Sequence, residues 1–217
     1  MTIAPAGPRA HQRIHRGSLP LPELAFEHIL AGILSGEYGP GERLNTGRFA
    51  DELHMSLNPI REAIIRLRDI GLVEVTPARY TKVADFAGAK ARAAIGYAGM
   101  LVGIALRAVL PSAAQSVLDR LVATVEEIDA AATTADRDRA VVAFLSAVSD
   151  LIDHPRQAMH LVETTILVQC ALRSSEIVAD GSSRTRPWGA REVALSMRAG
   201  DADATERAVR SLFGNLA

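Results

Sequence analysis

Aromatic residues make up only 4% of this 217-residue chain, cysteine occurs once, and neither sign of charge is in useful excess. Each scarcity excludes something. A lone Cys170 rules out an intramolecular disulfide and a cysteine-rich metal site, and its apolar neighbours Ile166, Leu167 and Val168 predict a buried thiol in a reducing compartment. With 24 Lys and Arg against 25 Asp and Glu, the net charge of -1 offers no global attraction to nucleic acid, so any such contact must come from local charge. No apolar run is read as approaching a membrane span, and the first twenty residues lack the continuous apolar segment of a signal peptide, so the chain is expected in the cytoplasm without membrane contact. There is no nucleophile beside a recognisable base, no phosphate-cradling glycine loop and no paired catalytic carboxylates, so neither an enzyme nor a cofactor is expected.

What the chain does have is 48% hydrophobic residues at helical spacing, enough for two modest cores. The most informative stretch is 49–71, FADELHMSLNPIREAIIRLRDIG. Phe49, Ala50 and Leu53 form one short apolar stripe, His54 to Ser56 interrupt it, and Ile60, Ala63, Ile64 and Leu67 begin a second. This predicts two helices joined by a tight turn. Ser56 or Asn58 can cap the second helix, Pro59 fits its first turn, and Gly71 ends it. With the second stripe turned inward, Leu57, Arg61, Ile65 and Arg68 follow one another down another face, which a major groove could receive.

Before this stretch, residues 1–19 combine Pro, Gly and basic groups with little to bury and read as a flexible basic tail. Pro22 opens a helix running to about Leu34, with Leu24, Ala25, Ile29, Ile33 and Leu34 as its buried stripe, closed by the glycines at 36, 39 and 41. After it, LVEVTPARYTKV reads as a two-stranded hairpin that brings Arg79 and Lys82 toward phosphates. From Arg43 to Lys82 there are seven basic and five acidic residues, a surplus of two. Beyond Gly88, strand signals vanish. Six helices are predicted, at about 88–109, 112–130, 136–152, 156–178, 187–199 and 202–215, forming an antiparallel bundle. His154, before Pro155, is expected to cap a helix C-terminus, His160 to lack clustered partners, and Trp188 to pack at a loop-to-helix junction.

The N-terminal helix, GEYGPGERLN, LHMSLNPIREAIIRLRDIGLVEV and the short wing together resemble the winged helix of the GntR family of bacterial transcription regulators over roughly residues 20–86. Leu44, Ala50, Leu53, Ser56, Pro59, Arg61, Glu62, Ala63, Leu67, Gly71 and Leu72 carry the match. The helical remainder, ending in MRAGDADATERAVRSL, resembles the ligand-sensing (FCD) domain of the FadR-type subfamily, with the six helices of its VanR group, whose members are homodimers. Departures are specific. Leu57 stands where the family usually has an arginine after the serine, Ile65 is apolar where a polar residue is common, and Ala78 replaces the wing-tip glycine. In the sensing half, Val141, Leu145, Ala190 and Leu212 occupy the positions of an aspartate and three histidines that hold a divalent metal in most relatives, and none of them can coordinate one. Leu106 and Leu110 replace the arginine and glutamate of the first sensing helix, with Arg107 one position away.

The fold expected is mostly α: an N-terminal winged helix-turn-helix at 20–86, with three helices and a two-stranded wing, and a C-terminal six-helix bundle at 88–217. The function expected is a homodimeric, sequence-specific DNA-binding regulator on a pseudo-palindromic operator, with double-stranded DNA and a second copy of itself as partners. Its DNA contacts are placed at Arg48, Ser56, Asn58, Arg61, Arg68, Arg79 and Lys82. An effector pocket is placed at Leu106, Arg107, Val141, Leu145, Ala190 and Leu212, without metal. So apolar a lining would take a predominantly apolar small molecule or be filled by its own side chains. The alternative is a dimeric winged-helix interaction protein with weakened or lost specific DNA reading.

Overall fold

The computed structural model describes residues 19–77, 79–174 and 189–217. The basic tail to residue 18, the wing-tip Ala78 and Trp188 lie outside the described residues. Helix α1 spans Leu21–Ser35, started by Pro20 and Pro22 and stopped by Gly36 in the left-handed region at φ 84°. Its buried stripe is Ala25, Phe26, Ile29, Gly32 and Ile33, so Phe26 does the work expected of Leu24 and Leu34, which are half-buried. Asn45 caps α2 (Thr46–Glu52) by accepting from the backbone N–H groups of Gly47 and Arg48 at 2.9 and 3.2 Å. Helix α3 (Leu57–Ile70) ends at Gly71, again left-handed at φ 94°. Between α2 and α3 the chain turns through His54, a non-glycine residue at φ 52°.

Strands β1 (Val73–Thr76) and β2 (Tyr80–Val83) pair antiparallel, Val73 opposite Val83 and Thr76 opposite Tyr80. The segment before α2 adds a third rung: Leu44 N–H donates to the Thr81 carbonyl (2.8 Å), and the Val83 N–H to the Glu42 carbonyl (2.9 Å). That ties the GEYGPGERLN loop to the wing, a long-range pairing that no local pattern announces.

The remaining helices are α4 (Ala89–Val109), followed by a 3₁₀ turn at Leu110–Ser112, α5 (Gln115–Ala130), α6 (Thr134–Ser149), α7 (Pro155–Ser174), α8 (Ala190–Arg198) and α9 (Ala202–Leu216). They close a ring in which α4 packs on α7 and α9, α6 on α5 and α7, and α8 on α5 and α9. The connections at 131–133, 150–154 and 199–201 are too short for anything but antiparallel neighbours. Thr133 caps α6 and Asp201 caps α9, each accepting from the backbone N–H three residues on. Phe144, Phe213, Ile95, Leu106, Ile128, Leu145, Leu161 and Met197 fill the middle.

Two expectations are corrected here. Helix α4 with its 3₁₀ turn, Ala89–Ser112, is by length and composition long and apolar enough to cross a membrane. Ala91, Ile95, Ala98, Gly99, Val102, Gly103 and Leu106 are buried in the bundle, so this apolar length is that of a core helix. His154 does not cap a C-terminus: α6 has already ended, and the His154 carbonyl accepts from Gln157 and Ala158 to open α7.

With few aromatics, the bundle gains density by close helix approach. A Cβ built on Gly99 would lie 2.5 Å from Phe213 Cβ, and one on Gly103 3.0 Å from Glu206 Cγ, whereas at Gly96 nothing stands within 4 Å. Gly99→Ala is therefore expected to destabilise by about 1–3 kcal/mol, since α9 must shift to admit a methyl. Gly96→Ala should stabilise by about 0.5–1 kcal/mol through helix propensity alone. Urea unfolding of both variants checks this; equal midpoints would mean that α4 and α9 do not meet here.

Candidate nucleic-acid interface

Helix α3 is amphipathic. Pro59, Ile60, Ala63, Ile64 and Leu67 are buried against α1 and α2, and Leu57, Asn58, Arg61, Glu62, Ile65, Arg68 and Asp69 are exposed. Arg66 leaves the outer face: its guanidinium lies 4.2 Å from the Phe26 ring centroid and its Nη1 is 2.5 Å from Glu23 Oε2, clamping α3 to α1. Ser56 occupies the cap position of α3, but its hydroxyl makes no capping bond, leaving it and the first N–H groups of the helix open to solvent.

The cations expected to touch DNA are not equivalent. Arg48 Nε donates to Glu52 Oε1 at 2.6 Å, and Arg68 is held by Asp69 at 2.7 Å. Lys82 Nζ lies 3.0 Å from Glu74 Oε2, with Lys90 on the other carboxylate oxygen at 3.3 Å. Hydrogen bonds from Lys82 and then Lys90 hold the Glu74 carboxyl below its usual range, and the same contact holds the Lys82 ammonium above its own. Among the described residues, Arg61 and Arg79 have no side-chain partner. Arg79 stands at the hairpin turn, where its N–H donates to the Thr76 carbonyl (3.0 Å). Arg43, not singled out from the sequence, sits beside β2 with its guanidinium 5.9 Å from the Tyr80 ring centroid.

In the bundle, Leu106, Val141, Leu145, Ala190 and Leu212 share one apolar core and are each fully buried. Arg107 faces outward, bound by Asp203 at 2.9 Å and Glu206 at 3.3 Å. Among the described residues no three His, Cys, Asp or Glu side chains converge as a metal site. His160 does have partners, contrary to expectation: Tyr97 Oη lies 2.7 Å from its Nε2, and Glu163 3.8 Å from its Nδ1. His160 and Glu163 border a groove of about 800 Å³ between α4 and α7, lined also by Leu101, Ile104, Ala108, His154, Arg156 and Met159. Cys170, further along α7, is buried, and burial pushes its thiol up to about 11.

Residues 22–83 match the model of the bacterial regulatory proteins, gntR family. Over 67 residues the chain is 45% identical to the HTH-type transcriptional regulator Mce2R of Mycobacterium tuberculosis and to an uncharacterised HTH-type regulator of Mycobacterium bovis, a match covering 30% of this chain and 28% of each relative. The whole described fold is similar to Escherichia coli McbR/YncC, with a TM-score of 0.66 at 17% identity over 90% of this chain and 94% of that one. Lar of Listeria monocytogenes is similar too, with a TM-score of 0.53 at 18% identity over 93% and 96%. At such identities the likeness is one of fold. The segment from residue 22 to residue 83, with its helix-turn-helix and two-stranded wing, is what matches the gntR-family model.

Proposed function

We propose that this chain is a cytoplasmic, sequence-specific DNA-binding transcription regulator, with residues 20–86 reading DNA and residues 88–217 serving dimerisation and effector sensing. The observation that carries the reading is Arg61: an unpaired guanidinium on the outer face of α3, in the segment that matches the gntR model. Arginine there can bond both O6 and N7 of a guanine. Asn58 and the uncapped Ser56 at the start of the helix supply polar groups beside it, and Arg79, Arg43 and, once released from Glu74, Lys82 supply phosphate contacts from the wing. The ion pairs that occupy Arg48, Arg68 and Lys82 favour a second reading, a dimeric winged-helix interaction protein with weakened DNA reading.

The dimer is proposed to form through the exposed apolar face of α4 and α7, on which Tyr97, Met100, Ile104, Met159 and Val162 are unburied, Ile104 and Met159 each at 58% exposure. Met159 and Val162 continue, along α7, the stripe that Ile166 and Cys170 bury against the winged helix. A second copy related by a two-fold axis would cover such a patch with its own equivalent. For the effector, five fully buried apolar side chains at the expected pocket, and an Arg107 committed to two surface carboxylates, leave an isolated carboxylate without a partner there. Their packing in one core favours a pocket filled by its own side chains, and any molecule admitted there in their place would have to be predominantly apolar.

Fluorescence titration with genomic DNA around its own gene tests the function. Arg61→Ala is expected to cost about 1–3 kcal/mol of specific binding with the fold intact. Arg79→Ala should weaken all sequences alike and reduce the salt slope by about one. Unchanged operator affinity in the Arg61 variant would leave the interaction-protein reading. For the dimer, sedimentation should give twice the 23.1 kDa chain mass at micromolar concentration, and Ile104→Asp with Met159→Asp should give the chain mass itself. A wild-type monomer would sink the dimer, and a doubly substituted chain that stays dimeric would move it to another face.

A further inference from the structure

Two large apolar residues on α3 lie outside its buried stripe. Leu57 is 41% exposed and Ile65 46%, while Ile60, Ile64 and Leu67 already supply the inward stripe of the same helix. Scattered apolar residues on a surface need no explanation. These two are not scattered: they stand one turn before and one turn after Arg61, whose side chain is unpaired, so the outer face reads apolar, cationic, apolar.

Resting on the DNA-reading role proposed above, we infer that Leu57 and Ile65 contact thymine 5-methyl groups on either side of the guanine read by Arg61. The chemistry of the major groove leaves an apolar side chain little choice. Among the groups that distinguish one base from another there, the thymine methyl alone is apolar, the others being hydrogen-bond donors or acceptors. An isobutyl or sec-butyl group pressed on a donor, an acceptor or a phosphate strips water and returns nothing, whereas on a methyl it gains apolar burial. Four helical residues advance about 6 Å and neighbouring base pairs about 3.4 Å, so the methyls lie about two base pairs from the guanine. Leu57 and Ile65 thus select thymine over cytosine, which presents the same edge without the methyl and with a donor in place of the O4 acceptor.

The test uses the full chain. A random duplex library is selected for binding, and the enriched site is synthesised with thymidine or with deoxyuridine, which pairs identically and lacks only the methyl. The deoxyuridine duplex is expected to bind on the order of fourfold more weakly per contacted methyl. Leu57→Ala and Ile65→Ala should each reduce that ratio, and the double variant should bind both duplexes alike. Equal binding of the two duplexes by the parent chain would overturn the inference, as would undiminished discrimination in the double variant. Failure to enrich any sequence is a different result, because it would overturn the DNA-reading role itself.

Discussion

Helix α7 is the constraint on which both halves of the molecule depend, because it belongs to two cores at once. Leu161, Val168, Ala171 and Leu172 are buried in the bundle, while Cys170, with Ile166 and Leu167 beside it, packs into the core of the winged helix. Helical spacing puts the two sets on opposite flanks of the same twenty residues. Polar closure adds to this: Arg173 donates to the Ser35 carbonyl at 3.0 Å, a group left orphaned where α1 ends at Gly36. Helix α3 is therefore anchored from behind, with Gly71 at its C-terminal end facing Leu167.

The composition explains how the bundle is built. Few aromatics mean few large space-fillers, and the helices compensate by approaching closely where α4 presents glycine. Gly99 and Gly103 lie one turn apart on the side that meets α9, so the backbones come near enough for Phe213 and Glu206 to lie directly on α4. The same alanine and glycine content makes α4 long and apolar enough for a membrane while its buried stripe commits it to the core.

Most of the fold was legible because its signals are local. Period and caps are written within a turn of each helix end, which is why Gly36, Gly71, Asn45 and Thr133 punctuate the elements much as their chemistry dictates. The outward face of α3 was legible for the same reason, since burying Ile60, Ile64 and Leu67 leaves only one place for Leu57, Arg61 and Ile65. What was not legible depends on partners distant in sequence. Glu42 and Leu44 join the wing through backbone groups that carry no residue-specific mark. Phe26 joins the core and gains a partner in Arg66, forty residues on, whose guanidinium lies over its ring. His54 adopts a left-handed turn that composition would assign to glycine. His160 gains a partner in Tyr97 from a helix sixty-three residues earlier.

The ion pairs matter most for how such a surface discriminates. A phosphate approaching Lys82 must displace Glu74, whose carboxyl already bonds two ammonium groups, so the gain is the difference between two charge-assisted contacts. Arg48 and Arg68 face the same exchange with Glu52 and Asp69. On a chain of net charge -1 this mutes the sequence-independent attraction that dominates non-specific DNA binding. Arg61 faces no such exchange, having no side-chain partner among the described residues, so the bidentate guanine contact proposed for it would displace no ion pair. Discrimination is the difference between matched and unmatched sites, so under the proposed reading a surface that pairs Lys82 with Glu74 and leaves Arg61 free loses more non-specific than specific attraction, while the unpaired Arg79 keeps one phosphate contact.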